Sequence, residues 1–247
     1  MVAMEPGGRL LCAIDRDDRA AALVVCARQW AAATDLEPVF VHACARGDAD
    51  RANDAMTALG VGGDERRLVF GEPAGAVLGT IRTEEPALVL IASGSANGHG
   101  IGPVSTAVLR RAARPVAVLP PDGEASFTGG PIACAVSLGD ADEAAVRFAG
   151  ALAATTSRRL ALAHVVGVKD AALLAAARAS GVLASDDARV LAASPLAERL
   201  VRIARESDAD ALVVASGTSD PAAGALLGSV ARPLWQSSPC PVIVIAL

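Results

Sequence analysis

The chain has no tyrosine and only four phenylalanines and two tryptophans among 247 residues, so aromatic side chains make up 2% of it. Platforms for stacking bases are therefore scarce, and a formal net charge of −5 offers no cationic surface to a phosphate backbone. Histidine is nearly as rare, at three residues, which leaves few groups for acid–base work near neutral pH. Long apolar runs are missing too. The stretches Ala87–Ala92, Ala211–Ala215 and Pro241–Leu247 fall well short of the about 20 residues needed to span a bilayer. Met1–Gly8 carries Glu5 and no basic segment ahead of an apolar one, so no secretory leader is expected. Cys12, Cys26, Cys44, Cys134 and Cys240 show no C-x-x-C spacing, and each lies in or beside an apolar segment, where a thiol acts as a small hydrophobe. These features predict a reduced, cytoplasmic protein. No G-x-S-x-G elbow occurs, and the pairs Asp17-Asp18 and Glu84-Glu85 read as solvated helix ends. Nothing here argues positively for an enzyme.

What the chain does have is a 53% hydrophobic composition rich in alanine, and a repeat. Leu10–Asp15 overlays Ile132–Ser137, with Cys134 lying 122 positions after Cys12. The same shift puts Asp18 on Asp140, His42 on His164 and Pro73 on Pro195. Ser93-Gly94 meets Ser216-Gly217 at a shift of 123, and Pro115-Val116 meets Pro241-Val242 at 126. A period of that size is a whole domain rather than a solenoid unit. Residues 1–120 and 131–247 therefore read as two domains, joined by a Pro- and Gly-containing polar linker over 121–130.

Within each copy, short apolar runs alternate with helical patterns. Strands are expected over 9–15, 37–43, 66–70, 87–93 and 115–119, and again over 131–137, 159–166, 187–192, 210–215 and 241–246. Leu88–Ile91 and Val242–Ile245 do not alternate with polar residues, as expected of parallel strands covered on both faces. Leu23, Cys26 and Trp30 space out one buried helix face, matched by Ala145, Phe148 and Leu152. Asp18 and Asp140 stand where N-caps belong, and Ser194-Pro195 is another helix start. The expectation is an α/β fold of two tandem doubly wound, flavodoxin-like parallel sheets, each five-stranded in the order 3-2-1-4-5. The final strands, Val116–Leu119 and Val242–Ala246, would be aggregation-prone edges if left open, and they are expected to pair antiparallel as an intramolecular pseudo-dimer.

In such sheets ligands bind beyond the carboxyl ends of the strands, between the first and fourth. Asp15 and Gly94–Gly102 converge there in one copy, Ser137 and Gly217–Ser229 in the other. A Gly-rich loop leading into a helix offers N–H groups to phosphate, and an Asp at a strand end can accept from a ribose or base. Asp15 can equally be a strand-end residue bonding the turn that follows it. His42 and His164 read as structural, since no second ligand stands at a metal spacing. Gly98–Gly102 is one residue short of the dinucleotide fingerprint and follows the wrong strand for it, so it reads as a loop.

Strand-Asp15, Val41-His42-Ala43, Gly71-Glu72-Pro73 and Leu88–Gly94 resemble a universal stress protein domain. So do Ala163-His164-Val165, Ala211–Gly217, Leu227–Val230 and Cys240–Val244 in the second copy, so the resemblance covers nearly the whole chain as a tandem. It implies an adenine nucleotide alpha hydrolase-like fold. It also implies a family divided into ATP binders and non-binders. In binders, the first-strand Asp and the residue after the second-strand His contact adenosine, and a loop G-x-x-G-x(9)-G-[ST] holds the phosphates. The resemblance makes Asp15 and Ala43 the adenosine contacts and Gly94 the start of the phosphate loop. Asn97 then replaces the second Gly, the loop to Gly102 is shortened, and Pro103 replaces the Ser/Thr. In the second copy Val165 follows the His, and Gly217, Gly228 and Ser229 match, but Ser137 replaces the Asp, and Asp220-Pro221 interrupts the loop. Neither site is complete. ATP or another adenine nucleotide is a conceivable ligand, with no cofactor certain and no metal. The reading that results is a cytoplasmic stress-response protein acting through protein contacts, with nucleotide binding weak or lost. Its alternatives are an adenine-nucleotide sensor using the first crevice and a regulatory module for a transporter or signalling enzyme. A protein partner and further homo-oligomers fit the reading; nucleic acid and membrane insertion do not.

Overall fold

The computed structural model describes residues 7–15, 19–93, 101–119, 127–136, 142–164, 196–216 and 231–246. The first half runs β1 (Arg9–Ala13), α1 (Ala20–Thr34), β2 (Glu37–Cys44), α2 (Ala49–Ala58), β3 (Arg66–Phe70), α3 (Pro73–Glu84), β4 (Leu88–Ala92), α4 (Pro103–Arg111) and β5 (Val116–Leu119). The second half contributes β6 (Ile132–Val136), α5 (Asp142–Thr155), β7 (Leu160–His164), α6 (Leu196–Glu206), β8 (Ala211–Ser216), α7 (Ala231–Ser237) and β9 (Val242–Ala246). The expected strand at 187–192 and the helix starts at Asp18, Asp140 and Ser194-Pro195 lie outside the described residues.

The described strands form one sheet of nine, in the order β3-β2-β1-β4-β5-β9-β8-β6-β7. This corrects the expectation of two separate five-stranded sheets. The order 3-2-1-4-5 occurs within the first half, but its last strand continues into the second half instead of ending a sheet. Every neighbouring pair is parallel except β5 and β9, which run antiparallel with Val116 opposite Val244, Ala117 opposite Ile243 and Val118 opposite Val242. The physical reason is the edge. Both strands are apolar and covered on both faces, so their outer N–H and C=O groups need a backbone partner, and each supplies the other's.

Two apolar layers follow from the alternation of side chains along the strands. On one face Leu10, Cys12, Phe40 and Leu90 pack with Leu23, Cys26, Ala27 and Trp30 of α1, and the same cluster continues through Ile132, Cys134 and Ile243 to Phe148 and Leu152 of α5. On the other, Val89, Ile91, Val116 and Val118 meet α3 and α4, and Leu212, Val242 and Val244 meet Leu200, Ile203 and Trp235 of α6 and α7. Each core thus crosses the β5–β9 seam. The duplication is also visible in the backbone. Asp35 (φ 54°) and Ser157 (φ 55°), 122 residues apart, end α1 and α5 in the left-handed conformation, as Glu85 (φ 45°) and Asp208 (φ 48°) do after α3 and α6.

The chain enters the second half through a clasp. Phe127 lies against Trp30 of α1, with ring centroids 4.9 Å apart. The next residue donates to Asp210 from its backbone N–H (2.8 Å) and its hydroxyl (2.9 Å), and Gly129 N–H adds a longer bond of 3.3 Å. Arg158 Nε donates to the same carboxylate at 2.9 Å, and the Asp210 side chain is wholly buried. Gly130 has no room for a side chain, since a Cβ there would stand 1.7 Å from the Asp208 carbonyl oxygen. The equivalent end of the first half uses Glu84, which accepts from both Arg9 and Arg67 and is largely buried. This corrects the reading of Glu84 as solvated; Glu85 is exposed, 3.4 Å from Arg114. The hydrogen bond from Arg67, more than the charges of Arg67 and Arg9, holds the Glu84 carboxyl below its ordinary range. Its charge therefore stabilises the fold above the usual glutamate pKa, and that contribution fades as pH falls through the lowered folded value.

Removing the Asp210 carboxylate strands Arg158 and two backbone donors. Asp210→Ala is expected to lower the unfolding free energy by about 3 kcal/mol, read as a reduced denaturant midpoint. A loss below about 1 kcal/mol, the worth of a surface pair, would contradict the clasp. All five cysteines are free and buried. Burial pushes the Cys26 and Cys240 thiols up to about 12 and raises Cys12 well above its ordinary value. A thiol-labelling disulfide reagent at about pH 8 is therefore expected to find no fast-reacting group in the native protein and all five after denaturation; rapid native labelling would show an exposed thiolate.

Candidate functional site

α1, which follows β1, packs on one face of the sheet, and α4, which follows β4, packs on the other. Those two strands are neighbours, and in doubly wound sheets the carboxyl ends of such a pair are where a ligand crevice is expected. Its geometry begins at Ile14. The Ile14 amide donates to the Val41 carbonyl at 3.0 Å, and its own carbonyl accepts from His42 Nδ1 at 2.9 Å. A carbonyl can only accept, so Nδ1 carries the proton. These two bonds extend the hold of β2 on β1 by one residue beyond the ladder. Asp15 comes next, exposed at the strand end. His42 is thus the part that presents Asp15, and its other ring nitrogen, Nε2, is buried with no partner.

On the far side, the Ser93 amide donates to the Leu119 carbonyl at 2.8 Å, tying the end of β4 to β5. Ser105 Oγ in the first turn of α4 donates to the Ala92 carbonyl at 3.0 Å, which fixes that helix start over the strand end. Gly102 is the N-cap of α4, buried and with no side-chain cap bond, and Pro103 occupies the first helical position. Pro103 fits there because that N–H has no intrahelical acceptor, but the same fit removes a donor from any anion cradle. Ser93 Oγ is buried and unpartnered.

The residue that sequence reading missed is Arg19. It is the N-cap of α1, where Asp18 had been expected to act, and it makes no side-chain cap bond. Its guanidinium instead donates to the Ser93 carbonyl just beyond β4. An arginine followed by an Ala-rich helix carries no motif signal; only the neighbouring of β1 and β4 gives it meaning.

Of the residues singled out from sequence, the structure brings Asp15 and Ala43 to the carboxyl ends of adjacent strands and Gly102 to the start of α4. Gly94, Asn97, Val165, Gly217, Gly228 and Ser229 lie outside the described residues, as do Ser137 and Asp220-Pro221. Among the described residues no group of three or more His, Cys, Asp or Glu side chains could hold a metal, and no helix is long and apolar enough to cross a membrane.

Residues 169–246 match the model of the universal stress protein family. No curated protein matches the chain. Among solved structures, a functionally unknown protein from Pseudomonas aeruginosa PAO1 is similar, at 18% identity and a TM-score of 0.74 over 98% of this chain and 94% of that one. A universal stress protein from Archaeoglobus fulgidus DSM 4304 is 15% identical, with a TM-score of 0.72 over 100% and 98% of the two chains. At these identities the likeness is one of fold, and it extends over both halves. The similarity to the universal stress protein family thus lies in residues 169–246, and over both halves the chain shares the fold of these solved structures.

Proposed function

We propose that this is a non-catalytic, cytoplasmic stress-response protein that acts through protein contacts, and that its first-half crevice takes adenine nucleotides only weakly. The observation that carries the reading is the asymmetry of that crevice. On the side the reading gives to adenosine, the bonds on Ile14 hold the end of β1, where Asp15 is exposed. On the side it gives to phosphate, α4 opens on Pro103 behind a Gly102 N-cap that offers no side chain. An Asp can accept from ribose hydroxyls at full strength whatever happens at the helix start, whereas a triphosphate needs several N–H donors aimed at it. Such a site favours the nucleoside end over the phosphate end.

A second reading, an adenine-nucleotide sensor, is favoured by the buried Ser93 Oγ and His42 Nε2, which have no partner. Buried polar atoms left unpaired are costly and often mark places a ligand completes. The two readings differ in affinity.

Titration calorimetry with Mg-ATP separates them. The proposal expects a Kd no tighter than about 0.1 mM, roughly −5.5 kcal/mol, and no phosphate release. Pro103→Ser returns an N–H and adds a hydroxyl at the start of α4. It is expected to tighten ATP binding about tenfold, the worth of one hydrogen bond to a charged group. Micromolar binding by the unaltered protein, or steady ATP turnover, would overturn the weak-site reading in favour of the sensor.

A further inference from the structure

We draw no further inference here: the strongest candidate, the cavity of about 220 Å³ between the end of α6 and the clasp, lined by Thr128, Arg205, Asp208, Asp210, Pro239 and Cys240, carries nothing, because its buried carboxylate, Asp210, is already bonded to Thr128, Gly129 and Arg158 and nothing in the structure shows what would occupy it.

Discussion

Strands β5 and β9 are short, apolar on both faces and buried, and neither could end a sheet without exposing a row of unpaired backbone groups. Their antiparallel pairing removes both edges at once, because each strand's outer N–H and C=O groups find acceptors and donors in the other. Much else depends on that pair. It fuses two parallel sheets into one of nine strands, reverses the chain direction between the halves, and lets each apolar layer run unbroken from α1 to α5 and from α3 to α7. What remains as an edge in the first half is β3, which carries Arg66 and Arg67 and so discourages further strand addition.

The seam alone would permit the halves to rock about it. The clasp at residues 127–130 limits that freedom, since Phe127 is held by Trp30 of the first half while Thr128 and Gly129 are held by Asp210 of the second. Glu84 with Arg9 and Arg67 closes the matching end of the first half. Both networks use a buried carboxylate at the amino ends of the strands, which leaves the carboxyl ends for the crevice. Both networks thereby lie on the rim opposite the proposed crevice.

Most of the strands were legible in the sequence for one physical reason. Strands covered on both faces read as unbroken apolar runs, and Leu88–Ile91 and Val242–Ile245 could hardly be anything else in an α/β chain. The buried face of α1 was equally plain from the spacing of Leu23, Cys26 and Trp30, all buried in the structure. The roles of Asp210, Glu84 and Arg19 were not legible. A lone Asp before a strand looks like a turn residue, and a Glu at a helix end looks solvated, until a distant arginine is brought beside it. Arg158 lies 52 residues from Asp210, and Arg19 lies 74 from Ser93. Contacts at that range are set by topology, and only the neighbouring of strands creates them. The sequence did show Pro103 where the resembled family's pattern has Ser or Thr. It could not show Arg19 bonded to the carbonyl just beyond β4.

The central claim is that the two halves form one body joined at the seam, and the two tryptophans are placed to test it, Trp30 in the first half and Trp235 in the second. Trp30→Phe and Trp235→Phe each leave a single reporter, whose fluorescence can be followed through denaturant beside far-ultraviolet circular dichroism. One cooperative body predicts that, in each variant, fluorescence and circular dichroism trace a single transition with a common midpoint. Two steps in the dichroism, with Trp30 reporting one and Trp235 the other, would show that the halves unfold independently and that the seam does not join them.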